Sequence, residues 1–227
     1  MSNHDDPRLA RVYAPRIAEG AQVHESCHIG QGAQVSAEAV LCADVRLGGH
    51  VILEGAVHLG PSVTVHAFSS LIGPLSVGEG ALIGTGAVIG FPSADTENRH
   101  TRLMDYCRLG QGAQVLAGVR VGRQARVRTG CVVTGDVPHY GLAAQNPAIL
   151  TAYVCSLCGG LLEQAGLDGD VVNARCTGCA ADGFKFIDRY WSNPINRILL
   201  PHHTFGARVT PLSNPRPWRD EEEIEVS

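Results

Sequence analysis

Four of the eight cysteines stand in two pairs, and each pair encloses two residues. The pairs are Cys155-Ser-Leu-Cys158 and Cys176-Thr-Gly-Cys179, and seventeen residues separate them. Zinc prefers four tetrahedral soft ligands, and the two-residue gap lets each pair supply one edge of that tetrahedron. The spacing therefore predicts a structural zinc ribbon over residues 151–190. The alternative, two redox-active pairs, is disfavoured because no βαβ pattern of the thioredoxin type surrounds them.

A second chemical signal is a cluster of arginines in the middle of the chain. Between residues 99 and 128 there is a single acid, Asp105, and there are seven arginines: Arg99, Arg102, Arg108, Arg120, Arg123, Arg126 and Arg128. Guanidinium groups can bind phosphate through two parallel hydrogen bonds. The cluster therefore predicts a phosphate-binding surface. The alternative is a solvated surface, or one that faces another subunit.

The element that must position these arginines is a repeat with a period of six residues. Aliphatic residues recur at Ile17, Val23, Ile29, Val35, Leu41, Leu47, Leu53, Leu59, Val65, Leu71, Val77, Ile83 and Ile89. A helix would show a period near 3.6, and a single strand would alternate strictly. A period of six indicates a short strand and a tight turn, repeated, so that each coil buries its inner face against the next. Cys27, Cys107 and Cys131 occupy small inward positions and are interpreted as core residues.

The repeat is interrupted once. Ile89 and Leu103 are fourteen residues apart, after which the period resumes to Val133. The inserted segment, 91–102, is expected to form a loop that contacts the substrate, because long loops on rigid scaffolds tend to carry function. The repeat predicts one β-helix over residues 12–150. The segment 191–227 is expected to be an irregular tail.

The repeat and the segment VVTGDVPHYGLAAQNPA (132–148) resemble the hexapeptide-repeat acyltransferases, in particular the bacterial nucleotide-sugar N-acetyltransferases. The resemblance implies an all-β, left-handed parallel β-helix with three hexapeptides, or eighteen residues, per coil. It implies a homotrimer with active sites between subunits. It also implies acetyl-CoA or another acyl-CoA as co-substrate, and an amino group of a nucleotide sugar or similar small molecule as acceptor.

Eighteen residues per coil would place Arg102 beside Arg120 and Arg108 beside Arg126, all pointing outward. We therefore expect Arg108, Arg120 and Arg126, with Gly118, to bind the cofactor. The loop also resembles that of the lipid A pathway O-acyltransferases, in which Pro, Asp and Thr-Arg recur at similar offsets. This second resemblance implies substrate contacts from the set Asp95, Asn98 and Arg102.

The general base is the least determined part of the site. His100 lies in the loop, and His66 lies where it could meet the loop of a neighbouring subunit, so both are candidates. The O-acetyltransferase relatives have their catalytic histidine near the start of this loop, where the present sequence reads FPSAD. An amine acceptor that arrives deprotonated needs no base, and each histidine can equally be a surface residue.

The overall composition excludes several other classes. The net charge of −4 gives no indication of nucleic-acid binding, and no run of eighteen apolar residues predicts a membrane span. The N-terminal residues contain no apolar signal region, so we expect a cytoplasmic protein. Two other functions remain open: a non-catalytic β-helix scaffold or assembly subunit, and a γ-type carbonic anhydrase. The second is disfavoured because no two histidines are five residues apart.

Overall fold

Short parallel strands make up most of the chain. The computed structural model describes residues 13–93, 99–168, 171–182 and 184–187. In chain order the first twenty strands are β1 (Arg16–Ile17), β2 (Gln22–Val23), β3 (His28–Ile29), β4 (Gln34–Val35), β5 (Val40–Leu41), β6 (Arg46–Leu47), β7 (Ile52–Glu54), β8 (Val57–Leu59), β9 (Thr64–Val65), β10 (Ser70–Ile72), β11 (Leu75–Val77), β12 (Leu82–Ile83), β13 (Val88–Phe91), β14 (Thr101–Leu103), β15 (Arg108–Leu109), β16 (Gln114–Leu116), β17 (Arg120–Val121), β18 (Arg126–Val127), β19 (Val132–Val133) and β20 (Gly141–Ala144).

Each strand up to β16 pairs in parallel with the strand three places later, which gives a solenoid with three faces. Face A contains β1 and every third strand to β19, face B runs from β2 to β17, and face C begins at β3. Ile17 pairs with Val35, eighteen residues later, so one coil is three hexapeptides. The fold is the left-handed parallel β-helix that the sequence predicted. We name the turns between faces the A–B, B–C and C–A corners.

The inserted loop lies at one A–B corner. Val88 of β13 pairs with Gln114 of β16, twenty-six residues later rather than eighteen, so the insertion adds eight residues. The strands on either side of it keep their register, because Leu75 pairs with Thr101 and Val77 with Leu103. The insertion therefore leaves the solenoid at the corner, and the adjoining strands keep their parallel pairing apart from a register shift between Ile89 and Phe91 of β13. Asp95 and Asn98 lie outside the described residues.

The core is the predicted ladder of aliphatic and small side chains. Leu71, Ile83 and Ile89 are fully buried, and so are small residues such as Ala87. Full burial of one such aliphatic side chain contributes roughly 1.5–3 kcal/mol. Ser69, Thr101 and Asp136 are buried polar exceptions, and the single hydroxyl proton of Ser69 lies within hydrogen-bond distance of the carbonyl oxygens of His66 and Gly84. Cys107 and Cys131 are buried in the core as predicted, whereas Cys27 is only partly buried.

The glycines that follow the aliphatic positions permit close stacking of the coils. At Gly84, a Cβ atom would lie 2.7 Å from the backbone nitrogen of Gln111 in the next coil. Real Cβ atoms do not approach so closely, so a larger residue there would push two coils apart. This is the physical reason for the recurring glycine in the repeat.

The segment that resembles a family signature ends the β-helix. The Asn146 side chain accepts a hydrogen bond from the Val132 amide at 2.8 Å and donates one to the Gly130 carbonyl at 3.0 Å. The amide of Ala148 donates to the carbonyl of Val132. These groups belong to the last strand of face A, which has no further parallel strand to pair with among the described residues. The Asn-Pro-Ala segment thus supplies the partners that another coil would have supplied.

Face C continues into the cysteine region, a name we use for the described residues between 149 and 187. After β20 come β21 (Ile149–Val154), β22 (Leu161–Asp168), β23 (Val171–Cys176) and β24 (Phe184–Ile187), which pair in antiparallel order. Together with the face C strands they form one sheet of eleven strands. The cysteine region is therefore joined to the β-helix by backbone hydrogen bonds. The predicted tail, 191–227, lies outside the described residues, and no helix of the described residues is long and apolar enough to cross a membrane.

Candidate functional site

The seven arginines of the cluster are distributed over two faces and three corners. Arg102 pairs with Arg120 on face B, and Arg108 pairs with Arg126 on face C. The register therefore confirms both predicted columns. It also separates them, because six residues carry the chain past one corner to the next face. In a single chain, Arg120 does not share a surface with Arg108 and Arg126.

The face C column forms the floor of a cleft. The cleft has a volume of about 620 Å³, and its walls include residues of the cysteine region. Its lining contains three cationic side chains, Arg108, Arg126 and Arg128, and no acidic one. Within the described part of the chain, no carboxylate lies within ion-pair distance of these three guanidinium groups. The apolar lining residues are Leu82, Leu109, Val127, Leu142, Val154 and Leu161.

Arg126 contacts the cysteine region directly. Gly159 follows Cys158, has a φ of +70°, and leaves no room for a side chain, since a Cβ atom there would overlap the Arg126 guanidinium. The Gly159 amide donates to the Cys155 carbonyl at 2.9 Å. Arg126 is half-buried, whereas Arg108, one coil before it, is exposed. The cysteine region thus covers part of one arginine and leaves its neighbour open.

Gly118 lies near the inserted loop rather than in the cleft. It sits at an A–B corner between β16 and β17 with a φ of +83°, and the Arg99 side chain packs against it. Its amide donates to Thr101 Oγ1 at 3.1 Å. On face B, the Arg120 amide donates to the buried carboxylate of Asp136 at 2.8 Å. The predicted cofactor residues are therefore in two groups, with Arg108 and Arg126 on face C and Arg120 and Gly118 towards the loop.

A polar cluster at the B–C corner was not recognised from the sequence. Arg123 forms an ion pair with Asp105 at 3.3 Å, and its amide donates to His139 Nδ1 at 2.8 Å. The Tyr106 hydroxyl donates to Glu79 at 2.6 Å. Burial, and then the cation of Arg123, lower the pKa of His139. The signal was available, because Asp105 and Arg123 are one coil of eighteen residues apart.

The two candidate bases occupy different corners of the β-helix. His100 is exposed at the A–B corner, where the inserted loop ends, and its pKa is lowered by burial and then by the nearby Arg102 cation. His66 is exposed at a C–A corner, where its amide donates to the Ile83 carbonyl. The structure of one chain does not bring the two histidines together. Arg102 lies on face B, two residues after His100.

The four predicted metal ligands converge. Their sulfur atoms all lie within 4.8 Å of one another, with Sγ–Sγ distances of 3.9 Å for Cys155 and Cys179 and 3.4 Å for Cys158 and Cys176. Four sulfurs bound to zinc at about 2.3 Å would be about 3.8 Å apart. The separations therefore fit a tetrahedral zinc ion.

Backbone amides add to this fit by donating to the sulfur atoms. The donors are Leu157 to Cys155, Gly160 to Cys158, and Gly178 to Cys176, at 3.3–3.4 Å. Such bonds stabilise thiolates, and the pKa of Cys176 falls to about 6, mainly because the backbone of Cys179 hydrogen-bonds to it. In contrast, burial raises the pKa of the core residue Cys107 to about 12. Within the described part of the chain, Cys155, Cys158, Cys176 and Cys179 form the group whose sulfur atoms lie close enough together to hold a metal ion.

Comparisons with known proteins agree with this architecture. No protein-family model matches the chain. The chain is 30% identical over 139 residues to the bifunctional protein GlmU of Alkalilimnicola ehrlichii, a match that covers 61% of this chain and 29% of that protein. It is 33% identical over 136 residues to the bifunctional protein GlmU of Thermus thermophilus, with 59% and 29% covered. The matched part is thus less than a third of the length of these curated relatives.

Among solved structures, the chain is similar in fold to a mutant of AntD, an N-acyltransferase from Bacillus cereus. The TM-score is 0.50 at 12% identity, and the match covers 66% of this chain and 89% of that one. The register, the repeat and these matches place the chain among the hexapeptide-repeat β-helix proteins. Its β-helix is similar in sequence to part of GlmU and similar in fold to the N-acyltransferase AntD, in agreement with the resemblance to hexapeptide-repeat acyltransferases.

Proposed function

We propose that this protein transfers an acyl group, acetyl in the first instance, from acyl-CoA to the amino group of a nucleotide sugar or a similar small molecule. The observation that carries the proposal is the cleft on face C, where Arg108, Arg126 and Arg128 converge without an acidic neighbour. Coenzyme A bears phosphates beside less polar segments, and the cleft offers guanidinium groups beside leucine and valine side chains. AntD, whose fold is similar, was crystallised with dTDP and coenzyme A.

The reaction consists of attack by the acceptor nitrogen on the thioester carbonyl carbon. A carbon–nitrogen bond forms, the carbon–sulfur bond breaks, and coenzyme A leaves as a thiolate that takes up a proton. The nitrogen must lose a proton, and a neutral histidine is the natural acceptor. The lowered pKa of His100 keeps its imidazole neutral at pH 7. His66 is the second candidate, and Asp95, Asn98 and Arg102 are proposed to contact the acceptor.

The two candidate histidines point to an active site between subunits. They occupy different corners of one chain, so a site containing both would need His66 from one chain and His100 from another. We therefore propose a homotrimer, as the family resemblance implies. Exposed apolar side chains provide contact surface for it, among them Ile52, which is 40% exposed, and Phe68, which is 66% exposed.

The cysteine cluster is proposed to hold a structural zinc ion. Cys155, Cys158, Cys176 and Cys179 would fill all four positions of a tetrahedral zinc, which leaves no position for a substrate. The ion would hold together the two loops of the ribbon and would take no part in acyl transfer. Thiolate ligands need a reducing compartment, and this supports a cytoplasmic location.

The direct test is acetyl-CoA turnover with a panel of amino-sugar nucleotides. We expect thiol release that depends on the acceptor, and a product heavier by one acetyl group in mass spectrometry. The matched control is a variant with Arg108→Ala and Arg126→Ala, which should retain its zinc and lose most turnover. If calorimetry detects no binding of acetyl-CoA to the wild-type protein, the acyltransferase proposal is wrong and the scaffold alternative replaces it.

A further inference from the structure

The cysteine knuckle, defined as residues 155–160, lies over the arginine floor of the face C cleft. Gly159 of the knuckle touches the Arg126 guanidinium, and Val154 and Leu161, on either side of the knuckle, line the same cleft. The predicted zinc ribbon would need none of these contacts to bind its metal. These contacts indicate that the ribbon also forms part of the cleft on face C of the β-helix.

We propose that the part of the cysteine knuckle that faces the cleft, at Gly159, is a wall of a binding site for a phosphate-bearing ligand, so that ligand affinity depends on the metal-bound ribbon. This inference rests on the proposed function in one respect, because it takes the phosphates of acyl-CoA as the ligand. The chemical class it requires is broader: a phosphate or diphosphate joined to an apolar segment. The three arginines bind the anion, and Leu82, Leu142 and Leu161 contact the apolar part.

The wall acts through burial rather than through hydrogen bonds. The Gly159 amide already donates to the Cys155 carbonyl, and the Gly160 amide donates to Cys158 Sγ, so neither is available to a ligand. The knuckle instead removes part of the Arg126 guanidinium from water and restricts its position. A half-buried cation attracts a phosphate more strongly than an exposed one, because less water screens the pair.

Gly159 makes this arrangement possible. Its φ of +70° is a conformation that residues with side chains rarely adopt, and any side chain would occupy the space of the guanidinium. Gly159 therefore permits both the backbone conformation of the turn and the close approach of the Arg126 side chain. The turn is held by the Cys155–Gly159 hydrogen bond and by the sulfur contacts of Cys158. Loss of the metal would therefore allow the knuckle to move away from Arg126.

Two leucine-to-glutamate substitutions test whether the knuckle contributes to the binding site. Leu161→Glu places a carboxylate inside the cleft, whereas Leu157→Glu places one on the same knuckle outside the cleft. Both leucines are exposed, at 42% and 75%, so neither change removes core packing. Coenzyme A and inorganic pyrophosphate are titrated into each variant after its zinc content has been measured. We expect Leu161→Glu to weaken coenzyme A binding by about tenfold or more, through repulsion of the anion and competition for the arginines, and Leu157→Glu to change it by less than about twofold.

A second measurement needs no substitution. Ligand binding and metal binding must be linked reciprocally, so saturating coenzyme A should raise the zinc affinity of the wild-type protein, measured by equilibrium competition with a chelator. A zinc affinity that is the same with and without coenzyme A overturns the inference. This measurement tests the inference even if the Leu161→Glu variant does not retain its zinc.

The outcomes separate this inference from the proposed function. If Arg126→Ala weakens coenzyme A binding and Leu161→Glu does not, the knuckle is no wall, and the acyltransferase proposal stands. The inference is also overturned if Leu157→Glu is as harmful as Leu161→Glu. If pyrophosphate binds with the expected pattern and coenzyme A does not bind, the wall stands and the acyltransferase proposal falls. If neither probe binds the wild-type protein, both proposals are wrong.

Discussion

Gly159 packs against the Arg126 guanidinium, although the two are thirty-three positions apart in the chain. Arg126 belongs to the β-helix and Gly159 to the cysteine region, so the two parts share one surface. The backbone also connects the two parts, because face C passes from parallel strands to the antiparallel strands of the cysteine region within one sheet. A change in either part is therefore expected to affect the cleft between them.

The first prediction concerns the metal. Purified protein should contain about one zinc per chain, and Cys176→Ser should lose most of it, because three sulfurs do not complete the tetrahedral site. Elemental analysis by mass spectrometry measures the ratio. Cys42→Ser is the matched control, since Cys42 lies outside the sulfur cluster and should leave the zinc content unchanged. Wild-type protein without zinc, never exposed to a chelator, would contradict the ribbon.

The second prediction concerns the arginines. Arg108→Ala and Arg126→Ala should each weaken coenzyme A binding by about ten- to a hundredfold, since a hydrogen bond to a charged group contributes roughly 1.5–3 kcal/mol. Binding should also weaken as salt is added. Isothermal titration gives both effects. Arg46→Ala is the control, because Arg46 lies on face C three coils before Arg108.

Arg120→Ala belongs to the same series and tests the division between faces. Arg120 is on face B, so it can contact a ligand that is bound on face C only if that ligand also reaches a face B surface, for example that of a neighbouring subunit. If Arg120→Ala weakens binding as much as Arg126→Ala, the ligand bridges two subunits. If the three cluster variants bind coenzyme A as tightly as the Arg46→Ala control, the arginine cluster is not the cofactor site.

The third prediction concerns the general base. If His100 is the base, its neutral form is the active one, so kcat/KM, which reports the ionisation of the free enzyme, should rise with pH and level off. Because the pKa of His100 is lowered, the rise should be centred below the usual value of about 6.5. His100→Asn should reduce kcat by about a hundred- to ten-thousandfold and abolish this limb of the profile. His66→Asn is tested in parallel, and an unchanged profile in both variants would mean that the acceptor amine needs no protein base.

The fourth prediction concerns assembly. Sedimentation at micromolar concentration should give about three times the chain mass of 24.0 kDa. If the active site takes His66 from one subunit and His100 from another, mixing and reassembling inactive His66→Ala and His100→Ala proteins should restore part of the activity. Mixing either variant with itself is the control. A monomer mass would refute the trimer, and activity that is never restored would place both histidines outside a shared site.

The fifth prediction concerns stability at the B–C corner. The His139 imidazole accepts a hydrogen bond from the Arg123 amide, and its pKa is lowered in the folded protein. The unfolded chain therefore binds more protons than the folded one as pH falls from about 6.5 towards the folded pKa, and stability declines in that window. His139→Asn offers a neutral acceptor, so its melting temperature should depend less on pH between about 5 and 7. Equal slopes for both proteins would show that His139 does not cause the decline.

The β-helix and the clustering of the four sulfur atoms were predictable because both depend on spacing within short stretches of chain. Each inward residue, such as Ile83 or Leu109, is buried by the coils next to it, so a period of six in the sequence becomes a ladder in the core. Once three hexapeptides per coil are assumed, the same period pairs Arg108 with Arg126. Each cysteine pair likewise encloses a tight turn, and backbone amides of that turn donate hydrogen bonds to the cysteine sulfur atoms.

The cleft was decided by tertiary structure alone. The path of the chain after β20 is not periodic, and the antiparallel return of β21 along face C places Gly159 over Arg126 and leaves Arg108 open. Nothing in the spacing of Arg126 and Gly159 indicates their contact, because it arises from the direction in which one turn leaves the solenoid. The sequence by itself determined which residues form the solenoid and which sulfurs come together. Three-dimensional packing determined that Arg126 is half-buried and Arg108 exposed, because burial depends on what lies across from a residue and not on its position in the repeat.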